Sequence, residues 1–180
     1  MHDEHVNAPA SIDELLALLG RGAGVYDEPD VDGLSHALQC AAILHASHAD
    51  DAELTVAGLV HDVADIAYPD DHGDHARRGA AIVGPLLGAR VARLVAAHVG
   101  AKRYLVATDP AYRARLSPRS VETLHLQGDR LTGVELAAFA ADPDLDAILA
   151  LRRADESAKD PGAHTPELDS WRSLLERVAR

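Results

Sequence analysis

An apolar run that ends in a histidine beside an aspartate is the part of the sequence best suited to chemistry. Residues 54–60 are of types that normally fill a protein core, and they lead directly into His61 and Asp62. Burying a histidine and a carboxylate costs on the order of several kcal/mol unless a partner compensates. A metal ion is the usual partner, and the run therefore predicts a metal site inside the core.

Four further residues of metal-binding type lie on, or at the ends of, other predicted helices. They are His36, His75, His98 and Asp155. Imidazole and carboxylate ligands without a thiolate suit iron, manganese or zinc. Neighbouring residues lie about 100° apart around a helix, so Asp62 can bridge two metals while His61 binds one. The pattern therefore predicts a two-metal site.

Each of these residues also has a structural interpretation when it is taken alone. His36 could be a satisfied core histidine, His75 a surface residue, and His98 a cation that stabilises the end of a helix. Asp155 could pair with a neighbouring arginine in solvent. Six residues of ligand type on five apolar helices are harder to explain in this way, and the joint pattern favours the metal site.

The elements that must position these residues are helices. The chain has 180 residues, of which 47% are hydrophobic but only 3% aromatic, so the core must consist mainly of Leu, Ala and Val, which favours helix. Periodicity and capping residues predict helices at 11–19, 34–49, 51–65, 74–87, 88–99, 117–127, from 132, 142–158 and from 165. A loop is predicted at 20–33, a capping box at 132–135, and 104–108 is the stretch nearest to a strand pattern. The prediction is a single all-α domain over residues 1–180, with the ligands between about 26 and 159.

Charge and cysteine content limit the classes of partner. The formal net charge of −12 argues against nucleic acid and anionic membrane, although a small anion could enter a locally basic pocket. Cys40 is the single cysteine, so no intrachain disulfide is possible, and its apolar neighbours predict a buried thiol. Residues 1–11 lack the pattern of a signal peptide, and no apolar run is long enough for a membrane span. We therefore expect a soluble, cytoplasmic protein.

The order of the six predicted ligands resembles that of the HD-domain superfamily of helical metalloproteins, in particular its dinuclear members. A closer resemblance, from Tyr26 to about Lys159, is to the PhnZ-type di-iron oxygenases, which cleave the carbon–phosphorus bond of 1-hydroxyphosphonates. It is carried by the segments SHALQCA, AGLVHD, AHVGAKRYLV, LSPRSVETLHLQG and LRRADESAK. The third and fourth segments are the most specific, because metal binding alone does not require them.

This resemblance implies an HD-domain helical bundle with a mixed-valence Fe(II)/Fe(III) pair in its core. One iron would be held by His36, His61 and Asp155 and the other by His75 and His98, with Asp62 as the bridge. Dioxygen is the implied co-substrate, and the products would be inorganic phosphate and a carboxylate. No residue pattern identifies the electron donor or the oligomeric state.

A phosphonate headgroup needs cations and hydroxyl donors beside the metals. Lys102 lies one helical turn after His98, and Arg152 lies three residues before Asp155, so each can share the face of a ligand. Ser120 and Thr123, also three apart, offer two hydroxyls at the start of a helix. These four positions also match the family's phosphonate-binding residues, whereas the structural alternative is ordinary solvated helix residues.

The part of the substrate beyond the phosphonate is less clearly specified. Tyr26 lies ten residues before the first predicted ligand, as does a family tyrosine that occupies an iron site until substrate displaces it; the alternative is a loop aromatic packed on the core. A family histidine is replaced here by Asp65, and a family glutamate by Pro29 with acidic neighbours such as Glu28. Gln127 matches a further family position. The resemblance therefore implies an ammonium tail, as in 2-amino-1-hydroxyethylphosphonate or its trimethylammonium analogue.

Two other functions are compatible with the same ligands. An HD-type phosphohydrolase would use a metal-bound hydroxide against a small phosphate ester or nucleotide, without redox chemistry. A non-catalytic metal-binding regulatory module is the second alternative, although an inactive relative tends to lose a ligand. The segment AHVGAKRYLV together with Ser120, Thr123 and Arg152 favours the oxygenase over both.

Overall fold

A computed structural model describes residues 8–28, 30–69 and 74–180, apart from the side chains of residues 27 and 28. Its elements are α1 (Ile12–Gly20), β1 (Tyr26–Glu28), β2 (Val31–Asp32), α2 (Gly33–Ser47), α3 (Ala52–Val60), α4 (Val63–Ala67), α5 (His75–Leu87), α6 (Ala89–Thr108), α7 (Pro118–Leu126), α8 (Gly133–Ala140), α9 (Leu145–Ser157) and α10 (Arg172–Val178). Short 3₁₀ turns occupy Arg113–Arg115 and Leu168–Trp171. The prediction of an all-α fold is confirmed, and the two short strands form only an antiparallel hairpin.

Side-chain caps fix the start of several helices. Asp32 accepts a hydrogen bond from the Ser35 N–H at 2.7 Å, and Asp51 accepts one from the Leu54 N–H at 3.0 Å. Ser117 caps α7, where Pro118 occupies the first turn. The predicted capping box at 132–135 is wrong in one respect, because the Thr132 side chain makes no capping hydrogen bond at the start of α8.

The core is formed chiefly where α5 packs on α6 and where α2, α3, α6 and α9 pack against one another. Apart from His61 and Ile148, the largest fully buried side chains among the described residues are leucines. Gly58 permits the close approach of α2 and α3, because a Cβ there would lie 2.5 Å from Leu44 Cδ1. Cys40 lies in the same interface, and burial raises the pKa of its thiol to about 12. The core therefore surrounds the turn that follows α3.

Four segments differ from the prediction. The helix predicted from residue 165 begins only at Arg172, after the 3₁₀ turn at Leu168–Trp171. The helix predicted at 51–65 is broken at His61 and Asp62, where Asp62 adopts φ −103° and ψ 19° and begins α4. The helix predicted to end at residue 99 continues to Thr108, so the strand-like stretch 104–108 is helical, because Lys102 and Leu105 are buried on the same face. The predicted loop at 20–33 contains the hairpin.

No helix in the described parts of the chain is both long and apolar enough to cross a membrane.

Candidate metal centre

The structure brings the six predicted ligands together from five segments of the chain. His36 comes from α2, His98 from α6 and Asp155 from α9. His75 opens α5, while His61 and Asp62 form the turn between α3 and α4. The break after Val60 lets these two neighbouring side chains serve one site.

The first ligand group contains two histidine rings whose Nε2 atoms face each other. The distance between His36 Nε2 and His61 Nε2 is 3.2 Å. Asp62 Oδ2 lies 3.5 Å from the first nitrogen and 3.3 Å from the second. Asp155 Oδ1 lies 3.4 and 3.8 Å from the same two atoms. Four donor atoms thus surround one position.

The second ligand group is a pair of histidine rings whose Nε2 atoms lie near the other carboxylate oxygen of Asp62. His75 Nε2 and His98 Nε2 are 3.1 Å apart, and Asp62 Oδ1 lies 3.9 and 3.6 Å from them. Each histidine pair therefore faces a different carboxylate oxygen of one aspartate. That geometry suits a bridging ligand between two metal ions.

The outer nitrogens of three of these rings determine which nitrogen is available for a metal. The Nδ1 atoms of His36, His61 and His98 lie 2.7–2.8 Å from backbone carbonyl oxygens of Ala158, Gly58 and Val95, respectively. A carbonyl oxygen only accepts, so each Nδ1 must carry the proton. In the neutral rings Nε2 then carries a lone pair.

Lone pairs that face one another at about 3 Å repel unless a cation lies between them. The donor set therefore fits a metal ion at each histidine pair. Zinc, iron and manganese all accept this combination of imidazole and carboxylate. The geometry supports a dinuclear centre without specifying the element.

The ionisation states of the buried acidic and imidazole groups favour the binding of a cation at this site. Burial opposes ionisation of Asp155, yet the Arg152 guanidinium, and after it the neighbouring rings of His36 and His61, hold the pKa of its carboxyl well below the ordinary range. Burial also lowers the pKa of His61, but the Asp62 carboxylate outweighs it and the pKa is raised, so a cation, either a proton or a metal ion, is favoured at its Nε2. Carboxylates that remain ionised in a buried site are suited to hold cations.

His98 shows the opposite balance. Burial, followed by repulsion from His75, lowers the pKa of its ring to about 3. The ring is therefore neutral at physiological pH, which is the form that binds a metal.

The predicted anion-binding residues lie on the far side of the same cavity. Lys102 Nζ donates to Thr123 Oγ1 at 2.8 Å. Burial, with a smaller contribution from Arg152, lowers the pKa of the Lys102 ammonium to about 8. Ser120 is buried, and its hydroxyl lies 3.5 Å from Arg152 Nη2.

Arg152 is fixed by three neighbours. Its Nε donates to the Tyr112 hydroxyl at 2.8 Å and its Nη1 to Asp155 Oδ2 at 2.5 Å. Its Nη2 contacts the Glu156 carboxylate. These bonds connect the anion side of the cavity to a metal ligand, and the charge partners raise the pKa of Arg152 despite its burial.

Sequence reasoning missed Tyr112, Glu156 and Lys159 as members of this network. The last two could have been found, because they continue the spacing of Arg152 and Asp155 along α9 at i+4 and i+7. Tyr112 is 40 residues from Arg152 and has no local signal.

A cavity of about 260 Å³ joins the two sides. Its lining includes five of the six predicted metal ligands, all four predicted phosphonate contacts, and an apolar part near the hairpin. The apolar lining residues are Val25, Val31, Ile66, Pro69 and Val99. A small anionic molecule could therefore touch the metals and the cations at once.

The predicted tail residues have different placements. Tyr26 lines the cavity, but its side chain is 64% exposed. Asp65 and Gln127 also line it, and Gln127 Oε1 is buried without a hydrogen-bond partner among the residues described. The side chain of Glu28 and the whole of Pro29 lie outside the described part of the chain.

Comparison with known proteins connects this geometry to a family. The HD domain matches residues 33–154. The chain is 34% identical over 165 residues to the hydroxymethylphosphonate dioxygenase of Gimesia maris, covering 86% of this chain and 81% of the relative. It is 32% identical over 166 residues to the glycine-betaine-forming [1-hydroxy-2-(trimethylamino)ethyl]phosphonate dioxygenase of Leisingera caerulea, covering 88% and 84%.

Proposed function

Because this chain belongs to the HD-domain family, in its PhnZ-type branch, we propose that it is an oxygenase that cleaves the carbon–phosphorus bond of a 1-hydroxyphosphonate. The observation that carries the proposal is the shared cavity, in which a two-metal ligand set faces Lys102, Arg152, Ser120 and Thr123. A phosphohydrolase needs the metals, but the likeness to two phosphonate dioxygenases over most of the chain favours the oxygenase.

The overall reaction needs no external electrons. A 1-hydroxyphosphonate dianion and O₂ give a carboxylate, hydrogen phosphate and one proton, so C1 supplies all four electrons that reduce dioxygen. We propose a mixed-valence Fe(II)/Fe(III) pair as the cofactor, which would supply dioxygen activation and the redox step at C1. An electron donor would be needed only to restore the starting oxidation state.

The ligand residues divide between two metal positions. His36, His61 and Asp155 would hold one, while His75 and His98 would hold the other. Asp62 would bridge them, one oxygen to each. Backbone carbonyls keep three of the rings oriented with Nε2 toward the metal positions.

The anion residues would bind the headgroup and orient C1 toward the metals. The Lys102 ammonium and the Arg152 guanidinium supply charge, and the hydroxyls of Ser120 and Thr123 supply directed hydrogen bonds. Holding the phosphonate at this end leaves its neighbouring carbon within the metal side of the cavity. Positioning of this kind is itself a large contribution to rate.

The tail of the substrate is the more specific part of the proposal. Asp65 supplies a carboxylate and Tyr26 an aromatic ring to the cavity lining. A carboxylate and an aromatic face both favour a cation. We therefore propose an ammonium tail, as in 2-amino-1-hydroxyethylphosphonate or its trimethylammonium analogue, with Gln127 and Glu28 as further contacts and Tyr26 as a gate.

Phosphate release from iron-loaded protein, with and without O₂, tests the proposal. The substrates are 2-amino-1-hydroxyethylphosphonate, its trimethylammonium analogue, hydroxymethylphosphonate and a nucleoside monophosphate. We expect oxygen-dependent release from a hydroxyphosphonate, fastest with an ammonium tail. Oxygen-independent release from the nucleotide alone would replace the oxygenase with the phosphohydrolase, and fastest turnover of hydroxymethylphosphonate would contradict the ammonium tail.

A further inference from the structure

One face of α9 carries both metal-binding and anion-binding groups, and it extends past the end of the helix. Arg152, Asp155 and Glu156 share one face of α9 at the spacing i, i+3 and i+4. Lys159, two residues past the end of the helix, meets the same face through its contact with Glu156. Asp155 belongs to the metal centre, and Arg152 contacts it. Glu156 contacts Arg152 as well, whereas Lys159 adds a cation that the proposed phosphonate contacts do not include.

Lys159 lines the cavity, and its ammonium group is held at three points. Its Nζ lies 3.0 Å from Ser117 Oγ, 3.2 Å from Ser120 Oγ and 3.3 Å from Glu156 Oε1. The side chain is only 18% exposed. A lysine in this position is therefore a directed cation and not a solvated surface charge.

Glu156 occupies the centre of the same group of donors. Its carboxylate accepts from the Ser117 N–H at 3.1 Å and from the Ser120 hydroxyl at 3.3 Å. It also pairs with Arg152 on one side and Lys159 on the other. The Glu156 carboxylate therefore holds the Arg152 guanidinium and the Lys159 ammonium close to the same hydroxyl, that of Ser120.

The donors of Arg152 are mostly committed within the protein. Tyr112, Asp155 and Glu156 each receive a hydrogen bond from a different nitrogen of the guanidinium, so three of its five N–H groups are used before the weaker contact with Ser120 at 3.5 Å. A phosphonate has three oxygens to satisfy. Lys159 is the cation best placed to supplement Arg152, because its ammonium is closer to the Ser120 hydroxyl than the guanidinium is.

We propose that Lys159 is a further substrate-binding residue that contacts the phosphonate, and that Glu156 is the residue that positions it. This inference rests on the proposed function for the identity of the anion. The Ser120 hydroxyl has one proton, which it donates to Glu156 in the protein alone. With a phosphonate present that proton turns to a phosphonate oxygen. The ammonium of Lys159 has three N–H groups, so the one that contacts Ser117 turns to the anion while the other two stay on Ser120 and Glu156.

Equilibrium binding to iron-loaded protein without O₂ tests the role of Lys159. The probes are hydroxymethylphosphonate and inorganic phosphate, measured by calorimetry. Lys159→Gln should raise Kd for both anions by about tenfold or more, because the loss of one hydrogen bond to a charged group changes affinity by about that factor. Arg153→Gln is the matched control, because it removes one charge from an exposed position of the same helix, and its Kd should change less than about twofold.

Measurements of iron content and of a conservative variant distinguish a loss of anion binding from a loss of folding. Lys159→Gln should retain the iron content of the parent protein, and Lys159→Arg should keep Kd within about threefold because the charge remains. A Kd for Lys159→Gln equal to that of the control would overturn the proposal. Loss of affinity in Lys159→Arg as large as in Lys159→Gln would also overturn it, since charge would not be the cause.

A double-mutant cycle tests the positioning role of Glu156. Glu156→Gln should weaken anion binding, and combining it with Lys159→Gln should add little to the loss from Lys159→Gln alone. Fully additive losses, or tighter anion binding by Glu156→Gln, would show that Glu156 does not act through Lys159.

These binding measurements stand apart from the test of the reaction. If the protein binds both anions through Lys159 but releases no phosphate from a hydroxyphosphonate with O₂, the proposed function fails and the anion site stands. If hydroxyphosphonate turnover is oxygen-dependent but Lys159→Gln binds anions like the parent, only this inference fails.

Discussion

The two sides of the cavity are held in place by different means. On the metal side, the rings of His36, His61 and His98 are each oriented by one backbone carbonyl. On the anion side, Arg152 and Lys159 are oriented by carboxylates and hydroxyls of other side chains. The metal side therefore takes its geometry from the helices, whereas the anion side takes its geometry from its own members.

This difference determines how each side should respond to substitution. A ring fixed by the backbone stays in place when a neighbouring side chain is changed, so the histidine ligands should be disturbed only where one of them is itself replaced. Asp155 is the exception on the metal side, because the side chain of Arg152 holds it. A network of charged side chains has interaction energies that are not additive. On the anion side, the effect of one change should spread to the other members.

Asp62→Asn should have the largest effect, because Asp62 is the residue that both ligand groups share. Loss of even an outer-shell partner costs about 10- to 100-fold in metal affinity or activity, so we expect a decrease of more than about a hundredfold in phosphate release, with a loss of bound iron measured by elemental analysis. Asp65→Asn, three residues away and lining the cavity, is the control and should retain its iron. Full iron content in Asp62→Asn would contradict the bridging role.

Arg152→Lys should disrupt the anion side, and its effect should extend to the metal side because Arg152 contacts the predicted ligand Asp155. A lysine cannot replace the three-way contact with Tyr112, Asp155 and Glu156. We expect kcat/KM to fall about 10- to 100-fold, since each lost charged hydrogen bond costs roughly 1.5–3 kcal/mol. Arg153→Lys, on the exposed side of the same helix, should change kcat/KM by less than about twofold. A small effect of Arg152→Lys would mean that the network does not behave as a unit.

The same difference explains how much of the molecule could be predicted from the sequence. Helices and their caps depend on local spacing, so the starts at Asp32, Asp51 and Ser117 are visible in the sequence. The break after Val60 is not visible in the sequence, because residues 54–65 are compatible with one continuous helix. It is apparent only in the structure, where the His61 ring lies against the Gly58 carbonyl.

The residues of the anion side also differ in whether the sequence alone predicts them. Lys102 and Arg152 could be predicted because each lies about one turn from a ligand. Glu156 and Lys159 continue the spacing of Arg152 and Asp155 and were within reach of the same reasoning. Tyr112 comes from a separate 3₁₀ turn region and meets Arg152 only through the tertiary fold, so no local pattern contains it.

The pH dependence of kcat/KM should sharpen the comparison, since Lys102 titrates near neutrality and Arg152 does not. Burial and then Arg152 lower the Lys102 pKa to about 8, against weaker opposing effects of Asp155, Asp62 and Glu156. The ammonium is therefore present below pH 8 and is lost as pH rises through that value. We expect kcat/KM to fall toward tenfold per pH unit above about 8.

Lys102→Arg provides the matched variant, because a guanidinium keeps its proton across this range. Its kcat/KM should be lower than that of the parent at pH 7 but should no longer fall between pH 8 and 9.5. An unchanged pH profile in Lys102→Arg would assign the fall to another group.

Tyr26→Phe should have the smallest effect, since Tyr26 belongs to neither side of the cavity in the described conformation. The side chain is 64% exposed, so a gating role requires the phenol to turn inward to a metal position when substrate is absent. Removing only the hydroxyl keeps the ring at the cavity, and we expect kcat/KM to change less than about threefold. The informative measurement is the visible spectrum of iron-loaded protein: a phenolate on Fe(III) absorbs there, so the parent should show a band that substrate removes and that Tyr26→Phe lacks. Spectra that are identical for the two proteins would remove Tyr26 from the metal centre and leave it as a residue of the cavity mouth.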